Sequence, residues 1–122
     1  MKKSKKTLVF GASLNPGRYS NMAMHKLVNY GHEVVAFGLK EGNVEGVTID
    51  TELKPYDAVD TITLYMNATR QEPFYDYLIS LQPDRVIFNP GTENPEFFKR
   101  LREGNIEFEV ACTLVMLSTN QY

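Results

Sequence analysis

The sequence predicts an α/β domain, a parallel sheet of about five strands with helices on both faces. Three observations predict it. Short β-rich runs alternate with segments of helical period along the whole chain. Thr7-Leu8-Val9-Phe10 is apolar without alternation, as in a strand buried on both faces. And 122 residues, 43% of them apolar and 23% charged, suit one core rather than two and do not suit a disordered chain.

The first strand, residues 7–10, stops at Gly11. Ser20 reads as the N-cap of the first helix. Its apolar face recurs at Ala23, Leu27, Val28 and Tyr30, and Gly31 closes it as the C′ residue. Residues 33–38 are the second strand, carrying Val34-Val35-Ala36-Phe37. Residues 39–57 hold Gly42, Gly46 and Pro55, and one short strand pattern, Val47-Thr48-Ile49. The third strand, residues 58–66, is rich in β-branched side chains. The helix after it spaces Phe74, Tyr77, Leu78 and Leu81 on one face. Two starts compete for it: Thr69 with Glu72 as a capping box, and Pro73 as the first helical residue. Residues 85–89 are the fourth strand. Asn94-Pro95-Glu96 then supplies a cap, a Pro at N1 and an acid for the first turn. Phe97, Phe98 and Leu101 give that helix its face, Gly104 its stop, and residues 106–111 are the fifth strand. Right-handed crossovers turn this order into a small Rossmann-like sheet. Its ligand site is expected at the carboxyl ends of the strands, near the switch point.

Charge and composition narrow the function. The 13 basic and 15 acidic residues give a net charge of −2, without the basic excess of an extended nucleic-acid surface. No apolar run approaches the ~20 residues that span a membrane. A lone cysteine, Cys112, excludes an internal disulfide framework and fits a reducing, cytoplasmic setting. Lys2, Lys3, Lys5 and Lys6 precede an apolar stretch too short for a signal peptide, so residues 1–6 read as a flexible basic leader and residues 7–122 as the domain.

The chemistry-bearing residues lie at the strand ends. Gly11-Ala12-Ser13-Leu14-Asn15-Pro16-Gly17-Arg18-Tyr19-Ser20 joins the first strand to the first helix. Backbone amides at such a turn and helix start hold an anion. Gly11 permits the tight turn, Ser13 and Ser20 add hydroxyl donors, and Arg18 adds charge against a diphosphate. The plain alternative is a connector with a polar lip. The dinucleotide fingerprint G-x-G-x-x-G is absent, since Ser13 stands where a glycine is needed. The second strand ends in Gly38-Leu39-Lys40, without the acid that binds a ribose diol. Lys40 is either a surface lysine or the partner of a ribose phosphate, as NADP or the 3′-phosphate of coenzyme A would provide.

Four segments together resemble the stand-alone CoA-binding domain family. They are Gly11 to Asn21, Leu27-Val28-Asn29-Tyr30-Gly31-His32-Glu33-Val34-Val35, Asn89-Pro90-Gly91-Thr92-Glu93-Asn94-Pro95 and Ala111-Cys112-Thr113-Leu114-Val115. That family is similar to the nucleotide-binding domain of the succinyl-CoA synthetase α subunit. Gly11, Ser13, Asn15, Pro16, Tyr19 and Ser20 match its phosphate-loop pattern. Lys40 falls near a CoA-contacting lysine of the synthetase relatives. Tyr65-Met66-Asn67-Ala68 matches the segment that crosses CoA there. Phe37-Gly38-Leu39 departs from the family's proline-rich second strand end. Residues and resemblance together give a candidate CoA site. It takes Gly11, Ala12, Ser13, Asn15, Arg18, Tyr19 and Ser20 on the first loop, and Gly38 and Lys40 after the second strand. Tyr65 and Asn67 follow the third strand, Asn89 and Gly91 the fourth, and Cys112 the fifth.

Little points to catalysis or a metal. His25 sits inside the first helix, and His32 lies before the second strand, away from the expected site. No Cys or His cluster has metal-ligand spacing. Asp57, Asp60 and Asp84 precede strands, at the wrong edge. Glu93 and Glu96 lie at the right edge, with Glu96 suited to the helix dipole. Cys112 is either a small buried hydrophobe or a thiol beside the pantetheine end. The expectation is a binding module for CoA or acyl-CoA without catalysis of its own. The alternative is a small NADP-linked oxidoreductase.

Overall fold

The computed structural model describes residues 4–122. A sheet of seven strands runs in the order β3-β4-β2-β1-β5-β6-β7. Its strands are β1 (Thr7–Ala12), β2 (Val34–Gly38), β3 (Gly42–Val44), β4 (Val47–Asp50), β5 (Thr61–Leu64), β6 (Arg85–Phe88) and β7 (Glu107–Val110). Every pairing is parallel except β3 with β4. The helices are α1 (Tyr19–Asn29), α2 (Ala68–Gln71), α3 (Tyr75–Ser80), α4 (Pro95–Glu103) and α5 (Thr113–Ser118), with a 3-10 turn at Glu72–Phe74 between α2 and α3.

Strand alternation splits the interior into two layers. Leu8 and Phe10 point to one side, where Ile62, Leu64, Phe88, Phe97 and Leu101 complete a core. Val9 points to the other, with Ala23, Met24 and Leu27 of α1 and Leu117 of α5. Leu8, Val9 and Phe10 are all fully buried, which is why the first strand shows no polar alternation.

The two strands beyond the expected five come from the stretch 39–57. There β3 and β4 form a hairpin, Val44 opposite Val47, across a Glu45-Gly46 turn with φ +52° and +81°. A two-residue turn of positive φ matches the twist of a hairpin, and the Asn43 side chain accepts from the Gly46 N–H at 3.1 Å. The following crossover is tied back at Asp50. Burial works against its charge, but Lys54 Nζ at 2.8 Å and the Tyr56 hydroxyl at 2.5 Å hold its carboxyl below the ordinary value.

Helix ends follow the sequence in part. Gly31, φ +88°, closes α1: its N–H reaches Val28 O, and the His32 N–H reaches Leu27 O. Asn94 caps α4 through the Phe97 N–H. Ser20 is not the cap of α1. The capping position is Arg18, and Ser20 is buried within the helix at 4% exposure. Neither proposed start of the third helical segment stands alone. Asn67 caps α2 by accepting from the Arg70 N–H, and Pro73 falls in the 3-10 turn that re-aims the chain into α3. Helix α5, which packs on α1, extends the chain beyond the expected fifth strand.

The expected leader at 1–6 is loose neither at Lys5 nor at Lys6, while residues 1–3 lie outside the described residues. The Lys5 N–H donates to His32 Nδ1 at 3.0 Å and its Nζ to Tyr122 O at 2.6 Å. Lys6 Nζ lies 3.3 Å from Asp57 and 3.6 Å from Glu33. Among the described residues, no helix is long and apolar enough to cross a membrane.

Candidate functional site

Strand β1 pairs with β2 on one side and with β5 on the other, so the chain reverses its direction of travel across the sheet at β1. The strand order away from the β3 hairpin is that of a doubly wound nucleotide-binding sheet, whose crevice opens at the carboxyl ends beside that point. A cavity of about 520 Å³ lies there, walled by the ends of β1, β2 and β5.

Two glycines let these ends converge. Gly11 has φ +101°, and a Cβ on it would lie 3.1 Å from the Tyr65 carbonyl carbon. The β1–β2 register slips beside it, from Phe10↔Phe37 to Ala12↔Gly38. A Cβ on Gly38 would lie 2.3 Å from Ala12 O, which no side chain allows. The loop then holds itself in shape. Ser13 Oγ accepts from the Asn15 N–H at 3.0 Å, Asn15 Oδ1 from the Gly17 N–H at 2.9 Å, and Ser13 O from Asn21 Nδ2 at 3.0 Å. Because Ser13 Oγ accepts, its own O–H remains a donor.

The loop delivers α1 to the cavity with its first turn open. Arg18 at the capping position is extended and makes no side-chain cap, and the first turn carries no acid. Among the described residues the Tyr19 and Ser20 amides have no protein acceptor. First-turn amides and the helix dipole together attract an anion.

The cavity wall has two characters. Arg18, Lys40 and Arg70 are its charged members, and no aspartate or glutamate lines it. Against them stand Leu14, Phe37, Leu39, Met66 and Phe74. Phe37 is fixed by stacking on Phe10 at 4.8 Å and by the edge of Phe74 at 5.8 Å. Tyr65 lines the wall, while its hydroxyl is buried and makes no hydrogen bond. Burial pushes its pKa up to about 12, with the nearby Thr63 and Thr113 hydroxyls working against the shift, so it stays a neutral phenol at physiological pH.

Of the expected site residues, Gly11, Ala12, Ser13, Asn15, Arg18 and Ser20 line this cavity, as do Gly38, Lys40 and Tyr65. The others stand outside it. Tyr19 is 69% exposed at the start of α1. Asn67 is the cap of α2. Asn89 is buried and fully engaged, donating to Thr63 Oγ1 and Leu64 O and accepting from the Thr113 N–H. Gly91 turns the chain with φ +91° and donates to Glu93 Oε1. Cys112 is half-buried at the start of α5. The sequence reading missed Arg70 and the apolar wall. Arg70 had a signal: a cation three residues past a capping asparagine at a strand end. The apolar wall had only Phe37-Gly38-Leu39, noticed as a departure from the family. His25 pairs with Glu45 at 3.3 Å and His32 lies with Lys5, both away from the cavity.

The fold and this crevice define a Rossmann-like protein with an open cavity at its switch point. The chain belongs to the CoA binding domain family, whose profile matches residues 5–118. It is similar to the crystal structure of an uncharacterized protein, with 46% identity and a TM-score of 0.96 over 99% of this chain and 100% of that one. A hypothetical protein from Pyrococcus horikoshii OT3 superposes with a TM-score of 0.85 at 24% identity, over 96% of this chain and 84% of that one. A Thermus thermophilus structure, cell-free ID.343, gives 0.84 at 22%, over 98% and 91%. These two speak for the fold. No curated protein matches the chain.

Proposed function

We propose that this protein binds coenzyme A or an acyl-CoA, holding the diphosphate at the β1–α1 loop, and does so without catalytic machinery of its own. The observation that carries the reading is the uncapped, acid-free start of α1, which opens on a cavity with three cations and an apolar wall in a chain of the CoA binding domain family. The diphosphate takes the Tyr19 and Ser20 amides and the Ser13 hydroxyl, with Arg18 as counter-charge. Lys40, at the end of β2, serves the ribose 3′-phosphate. Phe37, Leu39 and Phe74 offer the adenine ring an apolar seat. The cavity wall holds no histidine, cysteine or carboxylate to act as base or nucleophile. A lone cysteine goes with a cytoplasmic setting. The family lends nothing to the NADP-linked alternative.

Thermal unfolding tests this directly, because a ligand that binds only the folded state stabilises it. CoA at about one hundred times its Kd adds about 2.7 kcal/mol, a rise of several degrees in Tm for a domain of this size. NAD and NADP, which share the adenosine diphosphate but lack the ribose 3′-phosphate, raise Tm less. Equal shifts with NADP, or none with CoA, contradict the proposal.

A further inference from the structure

We infer that the site reads the nucleotide half of the ligand and leaves the acyl group unread, so that free CoA and its thioesters bind alike. This rests on the CoA reading above. Three observations carry it.

The cavity ends with α2 and the 3-10 turn: no residue beyond Phe74 lines it. Its volume of about 520 Å³ lies in the range that encloses one drug-sized ligand. That suits an adenosine diphosphate moiety and leaves the pantetheine arm outside. The cations Arg18, Lys40 and Arg70 also gather on this cavity, and all of CoA's phosphates belong to the nucleotide half.

Further along the same sheet edge, toward β6 and β7, the polar groups bond to one another. Gln71 Nε2 donates to Met66 O and Thr92 O, both at 2.8 Å. Asn94 Nδ2 donates to Gln71 Oε1 at 2.9 Å and to the Tyr75 hydroxyl at 2.7 Å. Thr92 Oγ1 donates to Asn89 O, and Asn89 bridges Thr63, Leu64 and Thr113. Gln71, Asn89, Thr92 and Asn94 are all at least 96% buried. Discrimination among thioesters requires groups that pair with the acyl carbonyl or a groove that encloses the chain. This edge turns its donors inward. The apolar side chains exposed at the cavity mouth, Leu14 and Leu39, stand by β1 and β2, on the nucleotide side, while Val110 and Val115, exposed at the far end of the edge, form no part of the cavity wall.

The thioester therefore projects free of the protein, open to solvent or to an enzyme that acts on it. Calorimetry on the wild-type protein with CoA, acetyl-CoA, octanoyl-CoA and 3′-phosphoadenosine 5′-diphosphate tests the inference. A buried methylene tightens binding about fourfold, so the six that separate octanoyl from acetyl cannot hide if the chain is held. The expected result is that the three CoA species agree within about fivefold and that the nucleotide, which lacks only the arm, still binds. A larger spread among the CoA species, or no binding by the nucleotide, overturns the inference while the CoA reading stands. No binding by CoA itself removes the function proposal and this inference with it.

Discussion

Two connections leave the same edge of the sheet and each feeds a helix, yet they end differently. Between β6 and α4 the chain is closed. Asn94 caps the helix, Glu96 faces its dipole, and the Gly91 amide is taken by Glu93. Between β1 and α1 the chain is open. Arg18 stands where a cap would be, no acid follows, and the loop's own hydrogen bonds use Ser13 and Asn15 without touching the first-turn amides of α1. A helix start of either kind carries the same partial charge. What separates a structural helix end from a binding site is whether the protein supplies its own acceptor. The sequence distinguishes the two through arginine against asparagine at the capping position and through the acids Glu93 and Glu96, which have no counterpart at α1.

The comparison can be broken from either side. The largest effect is expected from Ser13→Asp, which places a carboxylate in the open loop where the diphosphate would lie. Like-charge repulsion removes CoA binding, by more than about a hundredfold. The circular dichroism spectrum stays that of the wild type, because Ser13 is on a loop. Undiminished affinity would show that the diphosphate lies elsewhere. Opening the closed connection is next. Asn94→Ala deletes a helix cap and leaves Gln71 and Tyr75 each short of a buried partner. Urea unfolding should register a loss of about 3 kcal/mol. A loss under about 1 kcal/mol would mean that the network around Asn94 contributes little. The smallest change in stability, and the sharpest for the comparison, comes from Arg18→Asp, which gives α1 the cap that α4 already has. Stability should rise by about 1 kcal/mol, while CoA affinity falls at least tenfold as a cation is exchanged for an anion. A variant that gains stability and keeps its affinity would separate the helix start from the ligand.

How far the sequence disclosed all this depends on the physics of each part. The central strands β1, β5 and β6 were legible because burial on both faces writes itself as unbroken apolar or β-branched runs such as Thr7-Leu8-Val9-Phe10, whereas β7, largely exposed at the sheet edge, alternates as Glu107-Phe108-Glu109-Val110. In the β3–β4 hairpin the pattern Val47-Thr48-Ile49 disclosed β4, but β3 and the turn stayed hidden, since Glu45 is an unusual residue for a turn position with φ +52°. Helix α5 was hidden in Thr113-Leu114-Val115-Met116-Leu117, an apolar run too short for periodicity to separate helix from strand. Ser20 misled because capping preference is local, whereas the point at which α1 starts is set by a loop that tethers itself to Asn21. At the site, the glycine and serine of the first loop were visible as motif. Arg70 carried only the faint signal of a cation three residues past Asn67, because its place on the cavity wall depends on α2, a single turn held by Asn67 and Gln71.

The central claim is that the open start of α1, and not the closed start of α4, receives the ligand. Backbone amide resonances followed by nuclear magnetic resonance during a CoA titration test it most directly. The account predicts the largest shifts at Ser13, Tyr19 and Ser20, with Glu96 and Phe97 unmoved. Shifts centred on α4, or spread evenly over the protein with none at Tyr19 and Ser20, would contradict it.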